Sequence, residues 1–429
     1  MHLNPESRRI FLQRSAALLG GASLVACATA PSQPAKAQVL VVGGGFGGAT
    51  AAKYLRHLSD GRVGVTLVEP SNAFVSCPMS NLVLEGDKQI IDLTHGYGGL
   101  EALGVKRLQT RVSRIDAVGK RAQLADGSWL LYDKLLLSPG IDFNWNAIAG
   151  LQAANKAGQV LQAWKAGGET TALRAQLEAM PDGGVYAISI PEAPYRCPPG
   201  PYERASLVAS YFKRVKPKSK VLILDANADI TSKAGLFRKV WAEHYPGMVE
   251  YRPQHKVLAV DGAKRTLKFE LQEDLRADVL NVLPPMQAGE LATANGLATV
   301  NARWCGVDYL NFASTQHKDI HVIGDAIQIA PLMPKSAHMA SSHAKVAAAQ
   351  IVAELLGLPL NPAPMLTNTC YSLVSRNLAI HVASVHAYDA AAKTYKTVPG
   401  SGGVSSQANE IEAAYAQHWA KTIWADSLN

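Results

Sequence analysis

The stretch QVLVVGGGFGGATAAKYL, residues 38–55, constrains the fold more than any other part of the chain. An apolar β run leads into Gly43-x-Gly45-x-x-Gly48 and then into a helical run with small residues on one face. A second strand, GVTLVEP, ends in Glu69, 21 residues past Gly48. Each part has a physical task. Gly43 permits the tight turn, Gly45 lets backbone approach a pyrophosphate, and Gly48 lets helix and strand pack closely. The helix N-terminus offers free amides and a positive dipole end to phosphate oxygens, and Glu69 can accept from ribose hydroxyls. A lone glycine triplet is weak evidence, but here strand, glycines, helix, second strand and acid stand in order. A dinucleotide-binding βαβ unit is expected.

The 429 residues can bury two or three cores. A second unit of the same layout follows. The run GGVYAISI (183–190) predicts a strand, ERASLVASYFKR (203–214) a helix, and KVLILDA (220–226) a further strand ending in Asp225. The loop between the first strand and the helix is PEAPYRCPPGPYERA, with no glycine fingerprint. Proline has no N–H and a fixed φ, so this loop cannot offer the row of amides that cradles a pyrophosphate. The unit is therefore expected to use no NAD(P)H. Cys197 within it is the natural entry point for electrons from another source.

Two further segments bear on which dinucleotide the first unit takes. YDKLLLSPG (132–140) reads as a strand with a small-Pro-Gly turn. HKDIHVIGDAIQI (317–329) reads as a strand ending in Gly324-Asp325, before a helix over 341–357. Both resemble flavoproteins of the pyridine-nucleotide disulfide oxidoreductase class. That resemblance implies FAD, with Asp325 toward its ribityl or pyrophosphate end and the next helix N-terminus toward the pyrimidine side of the ring.

The resemblance sharpens over SCPMSNLVLEG, HGYGGL, WKAGGETTALRAQLEAM, CPPGPYERAS, MPKSAHMASS, LTNTCYS and AAYAQHWAKTIW. These segments, and with them the chain from residue 38 onward, resemble the flavoprotein subunit of flavocytochrome c sulfide dehydrogenase, a relative of sulfide:quinone oxidoreductase. The resemblance implies three cysteine roles. Cys77 stands where the family bonds covalently to the flavin, although Pro78-Met79 replaces the more usual aromatic or bulky apolar residue after it. Cys197 and Cys370 match the family's redox-active disulfide, the C-terminal segment folding back over the flavin. Cys305 acquires no role and reads as a small buried hydrophobe.

Glu203 reads either as a proton-handling group beside that disulfide or as a carboxylate stabilised by a helix N-terminus. Lys335, in MPKS, reads either as a positive charge at the pyrimidine end of the flavin or as a surface lysine. Trp419 reads either as core packing or as a ring between the flavin and the partner's haem. The implied reaction oxidises hydrosulfide to sulfur or polysulfide and hands electrons to a separate c-type cytochrome subunit. Alternatives are a quinone acceptor, another sulfur donor, or a flavin-bearing subunit inactive alone.

The other cysteines and histidines exclude some classes. No CxxC or CxxCH spacing occurs, so neither a metal site nor a haem on this chain is expected. No run of like charge and no basic–aromatic alternation points to nucleic acid. The N-terminus carries SRRIFLQ (7–13) and the short apolar run SAALLGGASLVA, the pattern of a twin-arginine export signal. The protein is thus expected in the periplasm, exported folded. LVAC (24–27) reads as a lipobox that would make Cys27 a lipid anchor, and AKA (35–37) as the rival cleavage site. The formal charge of +8 falls to about +6 without residues 1–26.

The expected architecture is α/β and glutathione-reductase-like, with two Rossmann-like units and a C-terminal α+β interface domain. Residues 1–37 would be signal and linker, 38–150 and 291–359 the FAD domain, 151–290 the inserted second unit and 360–429 the interface domain. NPAPMLTN (361–368) reads as a Pro-rich linker.

Overall fold

A computed structural model describes residues 37–429. The export signal and Cys27 lie outside the described residues. A parallel five-stranded sheet has the order Ile320–Val322, Lys134–Leu137, Ala37–Val42, Val63–Val68, Lys106–Leu108. Its central strands are continuous apolar runs because helices and loops cover both faces, which is how parallel sheets are built. The chain leaves Ala37–Val42 toward one side of the sheet and fills the other side later. This creates the switch-point crevice where such folds bind ligands.

A second parallel sheet has the order Val249–Arg252, Lys220–Asp225, Val185–Ile190, Val279–Val282. It repeats the topology of the first around its own opening strand, and it is inserted between Leu137 and Ile320 of the first sheet. The C-terminal part is antiparallel. Met365–Leu373 pairs with Ala379–Asp389, which also pairs with Thr394–Thr397 and Gly403–Val404. The helix Glu410–Leu428 closes it, capped by Asn409, whose side chain accepts from the Glu412 N–H.

Two boundaries differ from the sequence reading. The helix expected from 341 begins at Ala337, because the Ser336 hydroxyl caps it by accepting from the Met339 N–H at 3.0 Å. The linker expected over 361–368 ends sooner: Met365 is already in the strand that carries Cys370, and Pro362 and Pro364 lie before it.

Small residues set the packing near the crevice. Helix Phe46–Leu58 buries Gly47, Gly48, Ala49, Ala51 and Ala52, and helix Ala337–Leu356 buries Ala344, Ala347 and Ala348. The two pack closely side by side. Thr50 at this contact donates to Ser427 at 2.9 Å, tying in the last helix. Fully buried Glu85 accepts from Arg214 and Arg376, each at 2.7 Å, so one carboxylate joins all three parts of the molecule. Among the described residues, no helix is long and apolar enough to cross a membrane.

Candidate active site

The glycine loop behaves as its pattern requires. Gly43 has φ +96°, and a Cβ there would lie 2.4 Å from the Ser138 carbonyl oxygen. A Cβ on Gly48 would lie 1.7 Å from the Gly43 carbonyl oxygen, so helix and strand can meet only without one. Gly45 differs: a Cβ there would meet nothing within 4 Å, because the residue opens onto a cavity of about 420 Å³. Glu69 lines the same cavity and accepts from the Gly44 N–H at 2.6 Å and the Ser71 N–H at 2.8 Å.

Across the cavity, Gly324 and Asp325 form the turn after the sheet's edge strand. Asp325 holds a buried Oδ1 that has no partner among the described residues. Burial pushes its carboxyl up, against the opposing pull of Arg196 and Lys335. A buried acceptor without a partner calls for a donor from elsewhere, and a ribityl or ribose hydroxyl supplies one. The open cradle at Gly45 and the unpaired Asp325 together fit a long dinucleotide with hydroxyls and phosphates.

Cys77, Cys197 and Cys370 all line this one cavity, although they come from three separate parts of the chain. Cys197 sits just before the helix Gly200–Val215 with φ +60°, a strained setting for a residue with a side chain. Its N–H donates to the Lys335 carbonyl at 2.8 Å. A Cβ on Gly200 would lie 2.8 Å from the Cys197 sulfur, so glycine is what leaves the sulfur room. Cys370 lies mid-strand opposite Val382, with its sulfur 3.6 Å from both Asn368 side-chain polar atoms.

The expected Cys197–Cys370 disulfide is not formed: both are free thiols, the reduced form of such a pair. Burial pushes both thiols up. For Cys197 the nearby Cys370 adds to the effect, whereas Lys233 opposes it most at Cys370. Cys77 is half-buried, its sulfur 3.9 Å from the Trp164 carbonyl. Met79, two positions on, adopts φ +71°, is 7% exposed and packs in a buried apolar cluster. Cys305 is fully buried, pushed up to about 12 by burial, and is not part of the cavity wall.

Glu203 sits in the first turn of its helix, lines the cavity, and has its carboxyl raised by burial while Lys233 opposes. Lys335 departs from one of its two sequence readings. It is 2% exposed, so it is no surface lysine. Its ammonium donates to the Asp325 and Ile327 carbonyls at 2.8 and 2.6 Å, and it lies 3.6 Å from the Trp304 ring centroid. It therefore holds the Asp325 turn from behind and does not line the cavity. Trp419 reaches the cavity wall, edge-on to His338 and tilted against Tyr371.

Lys233 escaped the sequence reading altogether. No motif surrounds it, and only the fold brings its ammonium to the Cys370 carbonyl at 3.1 Å and the Ser372 hydroxyl at 2.7 Å. A second missed feature closes the inserted unit. Asp225, where a dinucleotide ribose would be held, is fully buried and accepts from the Tyr202 hydroxyl at 2.6 Å and the Tyr251 hydroxyl at 3.1 Å. Tyr195 and Tyr202, from the proline-rich loop and its helix, are themselves buried over the strand ends.

Family models match residues 37–284 and 362–428. A family described as the central part of the sulfide dehydrogenase (flavocytochrome c) flavoprotein chain matches residues 170–284, and its flavin-binding part matches 362–428. A curated flavocytochrome c sulfide dehydrogenase flavoprotein chain from Chlorobaculum thiosulfatiphilum is 67% identical over 46 residues, 94% of that sequence and 11% of this one. The chain belongs to this family. Residues 37–177 also match the pyridine nucleotide-disulphide oxidoreductases, so the protein is a flavoprotein oxidoreductase and FAD is its cofactor.

More distant relatives include the mitochondrial sulfide:quinone oxidoreductase of Mus musculus, 25% identical over 71% of this chain and 68% of its own. That of Dictyostelium discoideum is 22% identical over 76% and 72%. Among solved structures, the sulfide:quinone oxidoreductase of Aquifex aeolicus superposes with a TM-score of 0.74 at 17% identity over 91% of both chains. The putidaredoxin reductase–putidaredoxin complex gives 0.64 at 18% identity over 91% of this chain and 93% of that one. These two establish the fold.

Proposed function

We propose that the protein oxidises hydrosulfide through a Cys197–Cys370 disulfide and passes the electrons to a c-type cytochrome. The carrying observation is the convergence of Cys197, Cys370 and the buried carboxyl of Glu203 on the cavity that also holds the Gly45 cradle and Asp325. FAD, when bound, accepts the electron pair and releases electrons singly. The cradle Gly44–Gly47, Glu69 and Asp325 would hold it, and Cys77 would bond it covalently.

The chemistry of the chain's own groups follows. Hydrosulfide attacks one sulfur of the disulfide, one S–S bond forms as the other breaks, and a persulfide and a thiolate result. Glu203 takes up the proton of the incoming sulfide, for which a carboxyl raised toward neutrality is suited. The thiolate and the persulfide together hold the two electrons taken from sulfide; as these leave to FAD, when it is bound, the Cys197–Cys370 bond would re-form and the outer persulfide sulfur would depart in the zero-valent state. Trp164, Tyr371 and Trp419 line the same cavity, and their large rings would limit the water around a nascent persulfide. The tyrosine-filled pocket at Asp225 supports an electron source other than NAD(P)H.

Export to the periplasm by the twin-arginine route, with Cys27 as anchor or AKA as cleavage site, accords with a donor and a cytochrome found outside the cytoplasm. A quinone acceptor is the second reading, favoured by the mouse and Dictyostelium relatives. Turnover with sulfide in the presence of either oxidised cytochrome c or a short-chain ubiquinone separates the two. Reduction of the cytochrome without a requirement for quinone supports the proposal, and strict quinone dependence overturns its acceptor.

A further inference from the structure

Lys233 occupies a place that three physical terms oppose. Its backbone is left-handed, φ +57° and ψ +35°, where a residue with a β-carbon is rare. It caps the N-terminus of the helix Ala234–His244, the positive end of that helix dipole. It is also 8% exposed, so its ammonium has been taken out of water. Strained and desolvated residues persist where their charge or position is used. Among the described residues no carboxylate forms an ion pair with it; Glu203 and Glu412 act on it at longer range. What it touches directly is the Cys370 carbonyl and Ser372, two positions along the same strand.

We propose that Lys233 is a positioning residue that sets the reduction potential of the Cys197–Cys370 pair, by fixing a positive charge beside Cys370. The inference rests on the reading that these cysteines form a redox pair. When the S–S bond breaks, two electrons arrive and up to two protons follow. Burial pushes the Cys370 thiol up and the fixed cation opposes that push, so negative charge on the Cys370 sulfur costs less beside Lys233 than it would without it, and the reduced form is stabilised. A dithiol stabilised in this way makes its disulfide a stronger oxidant, which suits a pair that must accept electrons from hydrosulfide. Lys233 stands first among the charges acting to hold Cys370 ionised and is secondary to Arg196 at Cys197. The pair also faces Glu203 from the helix Gly200–Val215 and His338 from the helix Ala337–Leu356.

The test is a thiol–disulfide titration of the full chain purified with its FAD, in graded dithiothreitol buffers under argon. Thiols are trapped with acid and alkylation and counted by mass. Dithiothreitol closes to its own disulfide as it delivers two electrons and two protons. Lys233→Met, which keeps the length and removes the charge, is expected to shift the equilibrium about tenfold toward the disulfide, about 30 mV. Lys233→Arg should stay within about threefold of the wild type on the same scale.

A wild type that forms no Cys197–Cys370 disulfide defeats the redox-pair reading itself. A wild type that forms it, with an unchanged equilibrium in Lys233→Met, overturns the role of Lys233 alone. Should Lys233→Met fail to retain FAD, the reduced wild type decides. Alkylation by iodoacetamide must then show Cys370 losing its proton at lower pH than Cys197, and the reverse order overturns the proposal.

Discussion

Replacing Gly45 by alanine separates a role in cofactor binding from a role in folding. Gly45 has φ −70° and ψ −170°, an extended conformation open to alanine, and its Cβ would meet nothing within 4 Å. Alanine restricts the unfolded chain, a gain of about 0.4–1 kcal/mol. It is a poorer N-cap than glycine by a similar amount, about 0.5–1 kcal/mol. The two offset each other, and the flavin-free protein should melt within about 2 °C of the wild type. The methyl group points instead into the space where phosphate must approach the backbone amides. Losing one charged hydrogen bond there costs about 1.5–3 kcal/mol, a roughly 10- to 150-fold weaker affinity. The assay is the flavin-to-protein absorbance ratio on expression and on reconstitution of flavin-free protein with FAD, alongside thermal melting. Gly48→Ala is the contrast, since its Cβ would overlap the Gly43 carbonyl at 1.7 Å, and it should yield little folded protein. Wild-type FAD affinity in Gly45→Ala, or a large loss of stability in its flavin-free form, would refute the cradle assignment.

Two further predictions follow from the ionisable groups. Burial raises the Glu203 carboxyl, so it becomes ionised closer to neutral pH than an exposed glutamate. Sulfide-driven flavin reduction that depends on ionised Glu203 should rise with pH through that region, and Glu203→Gln should be at least tenfold slower with a flattened pH profile in stopped-flow absorbance. Asp426 is held below the usual carboxylate range by Lys345 at 2.7 Å and the Tyr54 hydroxyl at 2.8 Å, although its partial burial pulls the other way. A depressed carboxyl stabilises the fold above its unfolded pKa and loses that contribution as pH falls through the folded value. Since Lys345 is well exposed, screening limits the effect: Asp426→Asn should cost under about 1 kcal/mol at pH 7, and the difference should fade as the pH falls through the folded-state value of Asp426 in denaturant titrations.

Much of the architecture was legible because it rests on local rules. The Gly43–Gly48 pattern states a turn and a close helix–strand contact, and both are present: Gly43 has φ +96° and a Cβ on Gly48 would overlap the Gly43 carbonyl oxygen. The strand–loop–helix layout around the proline-rich loop likewise announced a second parallel α/β unit. What local pattern could not show is what the fold assembles at long range. Cys370 reaches the wall holding Cys197 only through the antiparallel strand Met365–Leu373, and that pairing came from family resemblance. Lys233 and the Tyr202–Asp225 closure carried no motif at all, since an isolated lysine or tyrosine says nothing of what it will touch. For Lys335 the sequence left a surface lysine and a charge near the flavin both open; burial removes the first, and the ammonium is held by the Asp325 and Ile327 carbonyls, which no local pattern shows. The helix start at Ala337 was missed because Ser336, a single capping hydroxyl, moves the boundary by four residues from the expected 341.

The central claim is that sulfide electrons enter through Cys197 and Cys370. Its most direct measurement is the visible spectrum of the anaerobic protein carrying FAD, before and after hydrosulfide, for the wild type and Cys370→Ser. The account predicts rapid bleaching of the flavin band in the wild type and none in Cys370→Ser, with the flavin content of the two equal. Bleaching at the same rate in both, or an unchanged wild-type spectrum with the disulfide intact, would contradict it.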